Sequence, residues 1–249
     1  MTIHYDPHKP LPVPLPAAAA SSRSETAMQP LARGYLRKND FDRAVPKRGL
    51  YRNGVKRALD VLAVLAALPI VLPLVAVLAV IVALDGGNPL YFQTRVGRGG
   101  RLYRMWKLRS MVVGAEAALE AHLAADPAAR AEWNRDQKLK KDPRITPIGR
   151  LLRKSSLDEL PQLWNVLTGD MSLVGPRPMM PCQKPLYPGE AYYRLRPGIT
   201  GPWQVSHRNE STFADRARFD NDYEHDLSLA TDTGLLLATV RVVLRATGY

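Results

Sequence analysis

From Val61 to Leu84 the chain carries no charged residue, and a straight helix of that length would be about 36 Å long, enough to cross a hydrocarbon core of about 30 Å. Two prolines, Pro69 and Pro73, sit in the first half of this run. In an α-helix Pro69 leaves the carbonyl of Leu65 without a donor, and Pro73 does the same to the carbonyl of Pro69, with a ring clash at each place. Their spacing of four bends the helix towards one side. The run therefore crosses the bilayer as a kinked helix, which neighbours can support by satisfying the freed carbonyls, or it enters one leaflet and turns back.

The flanking charges favour the second course. Lys47, Arg48, Arg52, Lys56 and Arg57 precede the run, and Arg95, Arg98, Arg101, Arg104, Lys107 and Arg109 follow it, with Asp85 opposing them. Lys and Arg gather on the cytoplasmic flank of a spanning helix and not on the other, whereas here both flanks carry that mark. A re-entrant helix over residues 58–84, broken at Pro69 and Pro73, accounts for both observations, with arms of about 12 to 18 Å each. The formal charge of +12 and a pI near 10.0 call for an anionic partner: nucleic acid, an acidic lipid surface or a phosphorylated substrate. One cysteine, Cys182, leaves no internal disulfide framework, as suits a reducing compartment. The Pro, Ala and Ser content of residues 1–46 predicts a disordered tail with no cleavable signal peptide.

The remaining pattern reads as α+β and mainly helical. "LYFQTRV" and "RLYRMWKL" around "GRGG" predict a β-hairpin, the glycines making a turn and not a dinucleotide loop. Residues 112–138, interrupted by Pro127, predict two helices. The stretch from Arg144 to Asp170 predicts two more, the second with Leu160, Leu163, Trp164 and Leu167 on one face and Gly169 as its stop. "RPGITGPWQV" predicts a turn-rich loop leading into a short strand, and the C-terminal stretch an amphipathic helix with Arg241 and Arg245 near its end.

Chemistry concentrates in "RKSSLDELPQLWNVL". One reading is a cap: Asp158 as N-cap with Pro161 at N3, or Ser156 and Glu159 as a capping box. The other uses the same place differently, because carboxylates at a helix N-terminus stay ionised and draw phosphate beside them. An ionised Asp can attack phosphorus to give an acyl phosphate, and its neighbour can act as base or hold a divalent metal. Arg150, Arg153 and Lys154 precede the pair at i, i+3, i+4 spacing, either converging on it or forming a basic face on water or anionic headgroups. Arg177 and Arg196 each sit among Pro and Gly that stiffen a turn, as suits bidentate phosphate binding. Asp232 is most simply the N-cap of the last helix, and His207 and His225 lack metal-ligand spacing.

The order of "KRALDV", the proline-broken run, "RVGRGGRLYRMWKLRSM", "SSLDELPQLWNVLTGDMSLVGPRP", "RPGITGPWQVSHRN" and "SLATD" resembles the bacterial sugar transferases, the monotopic phosphoglycosyl transferases that start exopolysaccharide synthesis. The resemblance runs from about residue 50 to the C-terminus. It implies a small membrane-associated catalytic domain over residues 47–249, with a re-entrant helix, a β-hairpin and surface amphipathic helices. The catalytic part, 90–249, would lie on the cytoplasmic face of the bacterial inner membrane. The activity implied is transfer of hexose-1-phosphate from a UDP-sugar, UDP-galactose or UDP-glucose, to undecaprenyl phosphate with release of UMP. By motif position Asp158 is the nucleophile and Glu159 its partner, both near a magnesium ion. Lys107, Arg153, Arg177, Arg196 and Asp232 fall on the family's other active-site positions. Later glycosyltransferases of the same pathway are further partners, and nucleic acid is not expected. Two other readings compete: a non-catalytic basic protein of the membrane surface, and a direct-displacement glycosyltransferase whose Asp-x-Asp would be Asp40 and Asp42, within the expected tail.

Overall fold

The computed structural model describes residues 49–136, 139–206 and 213–244; the expected tail at 1–46, His207, Arg208 and Arg245 lie outside the described residues. A π-helical turn, Tyr51–Val55, leads directly into α1, Lys56–Ala83, which runs through Pro69 and Pro73 as one helix. Both ends of α1 pack on the same body. Near its start Asp60 accepts hydrogen bonds from Ser172 Oγ at 2.6 Å and the Leu173 amide at 3.3 Å, and Val64 is buried with Tyr103, Met105, Val166 and Met171. Near its end Leu78 and Val82 are buried with Leu108 and Leu152, while Arg109 grips Asp85 and the Val82 carbonyl. Between the two ends Ile70 is 76% and Leu72 65% exposed. Only 11% of the apolar window of the helix is buried, and the helix is long and apolar enough to cross a membrane.

The hairpin forms where the alternation places it. β1, Leu90–Val96, pairs antiparallel with β2, Leu102–Leu108, from Leu90 opposite Leu108 to Val96 opposite Leu102. Next come α2, Ala115–Ala125, and α3, Pro127–Asp136. Pro127 opens α3, where a missing N–H costs nothing, and Asp126 Oδ1 caps it by accepting from the amides of Ala128 and Ala129 at 2.9 and 3.1 Å. α4, Pro147–Ser155, is capped by Thr146, whose Oγ1 accepts from the Gly149 amide at 2.9 Å. α5, Gln162–Thr168, stops at Gly169 with φ 89°.

The expected apolar face of α5 is half right. Leu163 and Leu167 pack on the core, but Trp164 is 61% exposed and the fully buried positions are Gln162, Asn165 and Val166. Asn165 is inside because it pins the hairpin: its Nδ2 donates to the Arg104 carbonyl at 2.7 Å and its Oδ1 accepts from the Trp106 amide at 3.1 Å. A second sheet, absent from the sequence reading, joins β3, Ser172–Val174, in parallel with β4, Gly198–Thr200. Between them lies α6, Ala191–Arg194. The short strand expected over "WQV" is instead a helical turn, α7, Pro202–Val205, started by Pro202. α8, Arg216–His225, and α9, Leu229–Leu244, complete the chain. Ser228 supports the start of α9, its Oγ accepting from the Thr231 amide at 3.2 Å; Asp232 lies in the first turn and is not the cap.

Candidate active site

Asp158 and Glu159 lie in a tight turn, Leu157–Glu159, between α4 and α5. Ser156 takes a left-handed conformation, φ 57°, which reverses the chain after α4 and sets the turn against β2. No side chain caps this turn or α5, whose N-cap is Pro161. Neither capping reading therefore holds, and helix termination does not explain a buried acid at position 158. The turn is held by Leu157, which packs on Leu78, Val82, Leu108 and Leu152, so the dyad is fastened to the C-terminal part of α1.

Lys107 closes the site from the hairpin. Strand alternation puts Tyr103, Met105 and Lys107 on one face of β2; the first two are buried and the third reaches the dyad. Its Nζ donates to Glu159 Oε1 at 2.7 Å and stands 3.8 Å from Asp158 Oδ2. Arg153, in the last turn of α4, is fixed by donating Nε–H to Ser110 Oγ at 2.8 Å, and its charge also acts on Asp158. Arg150 and Lys154 are exposed, so of the three helically spaced cations only Arg153 is drawn in. Burial pushes the Asp158 carboxyl above its ordinary range; Lys107 and Arg153 oppose the shift and Glu159 adds to it. A carboxylate held this way is more basic than a free one, and so a stronger nucleophile once ionised.

Arg177 belongs to a second cationic group. Its guanidinium lies 5.3 Å from the Trp203 ring and that of Arg216 lies 4.2 Å from the same ring. Arg95 completes the group: burial, with the charge of Arg177, lowers its pKa, and burial with Arg177 and Arg95 pushes Arg216 down to about 10. Nε of Arg95 and of Arg216 are both buried without a hydrogen-bond partner. The acid facing Arg216, Asp220, is pushed up to about 7 by burial and accepts from Tyr187 OH at 2.8 Å. Arg95 shares the hairpin face of Lys107, since Tyr91 pairs with Lys107 and Arg95 lies four residues along β1, about 13 Å away.

Arg196 and Asp232 stand apart from the dyad. Arg196 donates Nε–H to the Gly169 carbonyl at 3.0 Å, beyond the far end of α5. Asp232 is buried and accepts from Tyr51 OH at 2.6 Å, Lys56 Nζ at 2.5 Å and Tyr223 OH at 2.6 Å, tying α9 to the start of α1. The turns carrying Arg177 and Arg196 are locked by a backbone crossing. A Cβ on Gly175 would meet the Arg196 carbonyl oxygen at 2.3 Å, and one on Gly198 would meet the Gly175 nitrogen at 2.1 Å. Sequence reasoning missed Ser110, Arg95, Arg216 and Asn165. The period-2 alternation of β1 places Arg95 with Lys107 and could have found it; the other three depend on long-range packing.

A buried carboxylate in a cationic frame has the makings of a phosphate-handling site. The chain matches the bacterial sugar transferase family over residues 51–246 and belongs to it. It is 48% identical over 196 residues to the UDP-galactose-lipid carrier transferase of Erwinia amylovora, a match that covers 78% of this chain and 41% of that protein. The undecaprenyl-phosphate galactose phosphotransferase of Salmonella typhimurium is also 48% identical, with the same coverage. The exopolysaccharide production protein ExoY of Rhizobium meliloti is 41% identical over 196 residues, 78% of this chain and 87% of that protein. The chain thus spans less than half the length of the first two relatives.

Proposed function

We propose that the protein is a phosphoglycosyl transferase that moves hexose-1-phosphate from a UDP-sugar to undecaprenyl phosphate at a membrane surface. The observation that carries this is Asp158: a buried carboxylate with no capping task, framed by Lys107 and Arg153. Asp158 Oδ attacks the phosphorus that bears the sugar, the P–O bond to the uridylate breaks, and UMP leaves with the bond's electron pair. The lipid phosphate oxygen then attacks the aspartyl phosphosugar, and the carboxylate is released. Glu159 accepts the proton of the incoming lipid phosphate where one is present. Lys107 and Arg153 offset the charge that gathers on the transferring phosphoryl group, the main catalytic task in such transfers. Arg177, with Arg95 and Arg216, suits the uridylate side of an extended donor. The galactose in two relatives' names supports UDP-galactose as that donor.

The residues also suit magnesium. Asp158 and Glu159 are adjacent carboxylates, and among the described residues no group of three or more acids, histidines or cysteines forms a closed cage. Magnesium commonly takes one or two carboxylates and fills its shell with water and substrate phosphate. Bound there, it would neutralise charge on the donor diphosphate.

The helix is read as re-entrant, with the catalytic part on the cytoplasmic face of the inner membrane where UDP-sugars are found. The packing of both ends of α1 on one body supports this. A cysteine placed before Lys47 should be labelled from the cytoplasm only, and periplasmic labelling would overturn the topology. For the chemistry, incubation with the donor alone should release one UMP and leave a hexose-phosphate mass on the peptide containing Asp158. UMP release that needs the lipid acceptor, with no adduct, would favour direct displacement.

A further inference from the structure

Two adjoining cavities lie at the end of α5 opposite the dyad. The larger, about 620 Å³, is lined by Arg57, Arg98 and Arg196 together with the apolar Val61, Leu62 and Leu227. The smaller, about 310 Å³, shares those three arginines and adds Arg101, with Asp170 as its one carboxylate. Four guanidinium groups face Asp170 in the smaller cavity and Asp60 in the larger, a local excess of positive charge.

The frame is built from parts already fixed. Arg57 is held by the Val166 and Leu167 carbonyls, and Arg196 by that of Gly169, all at the C-terminal end of α5. Burial and the charges of Arg98 and Arg57 lower the Arg196 pKa, and Asp60 opposes them without reversing the shift. Arg98 and Arg101 flank the hairpin turn, where Gly99 and Gly100 take left-handed φ of 68° and 79° and Lys184 Nζ donates to the Gly100 carbonyl at 3.3 Å. Both arginines are exposed, and no carboxylate among the described residues is paired with either. Other cations of the larger cavity have acidic partners: Arg52 and Arg194 share Glu224, and Lys56 pairs with Asp232. Two features then set the ligand's chemistry. Unpaired guanidinium groups call for a phosphate. Leu62, which lines the larger cavity, is 61% exposed on the membrane helix, so the same opening leads to the apolar face of α1.

We propose that this groove is a second phosphate site, which holds the headgroup phosphate of a membrane lipid while the lipid's chain lies along the exposed face of α1. It anchors the N-terminal part of the membrane helix, as the dyad turn is fastened to the C-terminal part. The proposal rests on the membrane reading of α1 and not on the transfer chemistry, so it is tested by binding.

Full-length protein in phosphatidylcholine nanodiscs would be titrated with phosphatidylglycerol, and bound lipid read by native mass spectrometry. Arg98→Gln with Arg101→Gln should weaken binding roughly 25-fold, at about 1 kcal/mol for each basic group removed. Lys140→Gln with Lys141→Gln, an equal loss of exposed charge elsewhere, should change it less than about twofold. Unchanged binding of both phosphatidylglycerol and undecaprenyl phosphate in the arginine variant, or an equal loss in the lysine variant, overturns the site. A parallel titration with undecaprenyl phosphate tells a general phospholipid from the acceptor: loss for undecaprenyl phosphate alone keeps the site and assigns it to the acceptor. Loss of UDP binding alone would place a soluble phosphate here and overturn the proposal. Both variants should show an unchanged melting transition, since the replaced side chains hold no fold contact.

Discussion

Replacing Asp158 by Asn separates structure from chemistry because the structure fixes the sign of each effect. The side chain is nearly buried and stands 3.8 Å from Lys107 Nζ, an attraction of about 4 kcal/mol at an effective dielectric near 20. If that attraction dominated, the carboxyl would be held below its ordinary pKa. It is instead raised, with burial the largest cause, so the desolvation cost, aided by the Glu159 charge, exceeds what Lys107 and Arg153 return. A group whose folded pKa is raised lends stability below its unfolded pKa and loses it as pH rises through the folded value. Once ionised, Asp158 therefore weighs against the fold. The amide removes that burden and keeps the shape. We expect Asp158→Asn to melt at the same temperature or higher, by about 2 to 4 °C for each 1 kcal/mol regained. UMP release should fall by roughly 10⁴-fold or more, as for other lost nucleophiles. Thermal unfolding in detergent, beside UMP release from UDP-galactose and undecaprenyl phosphate, tests both. Activity within tenfold of the parent would remove Asp158 from the chemistry. A melting point several degrees lower would show that the carboxylate is a structural group whose charge supports the fold.

Two further outcomes follow from packing and burial. Gly149→Ala sets a Cβ 2.0 Å from the Ser110 carbonyl oxygen, and relieving that overlap should cost about 1 to 3 kcal/mol. Because Ser110 also holds Arg153, UMP release should fall along with the melting temperature; an unchanged activity would detach Arg153 from the site. Asp220, raised from 3.8 to about 7, binds its proton more tightly folded than unfolded. Its stability contribution is full below about pH 4 and lost as pH rises through about 7. Asp220→Asn should flatten that slope in a melting series, and a slope equal to the parent's would refute the assignment.

How much of this was legible depends on how far apart the deciding residues lie. The hairpin, the break at Pro127 and the stop at Gly169 are set by neighbours within a few residues, and each falls where the pattern puts it. The apolar run was visible too, but a straight helix and a turned one expose the same sequence; its packing partners, Met171 at one end and Leu152 at the other, lie far along the chain. Local reasoning failed where a polar side chain had a distant task. Asp158 and Asp232 both look like caps because acids favour helix starts, yet one faces Lys107 and the other is shared by Tyr51, Lys56 and Tyr223. Trp164 looks like core because it keeps helical spacing with Leu160 and Leu167, but Asn165 must face β2 to hold two backbone groups of the hairpin, and that rotation turns Trp164 outward. The same rotation joins fold to site. By pinning β2, Asn165 fixes the strand that presents Lys107, and α5 then carries the dyad at one end and the Arg57 and Arg196 contacts at the other. One helix of seven residues thus sets the distance between the acidic dyad and the arginine-lined groove, a relation that no local pattern in the sequence encodes.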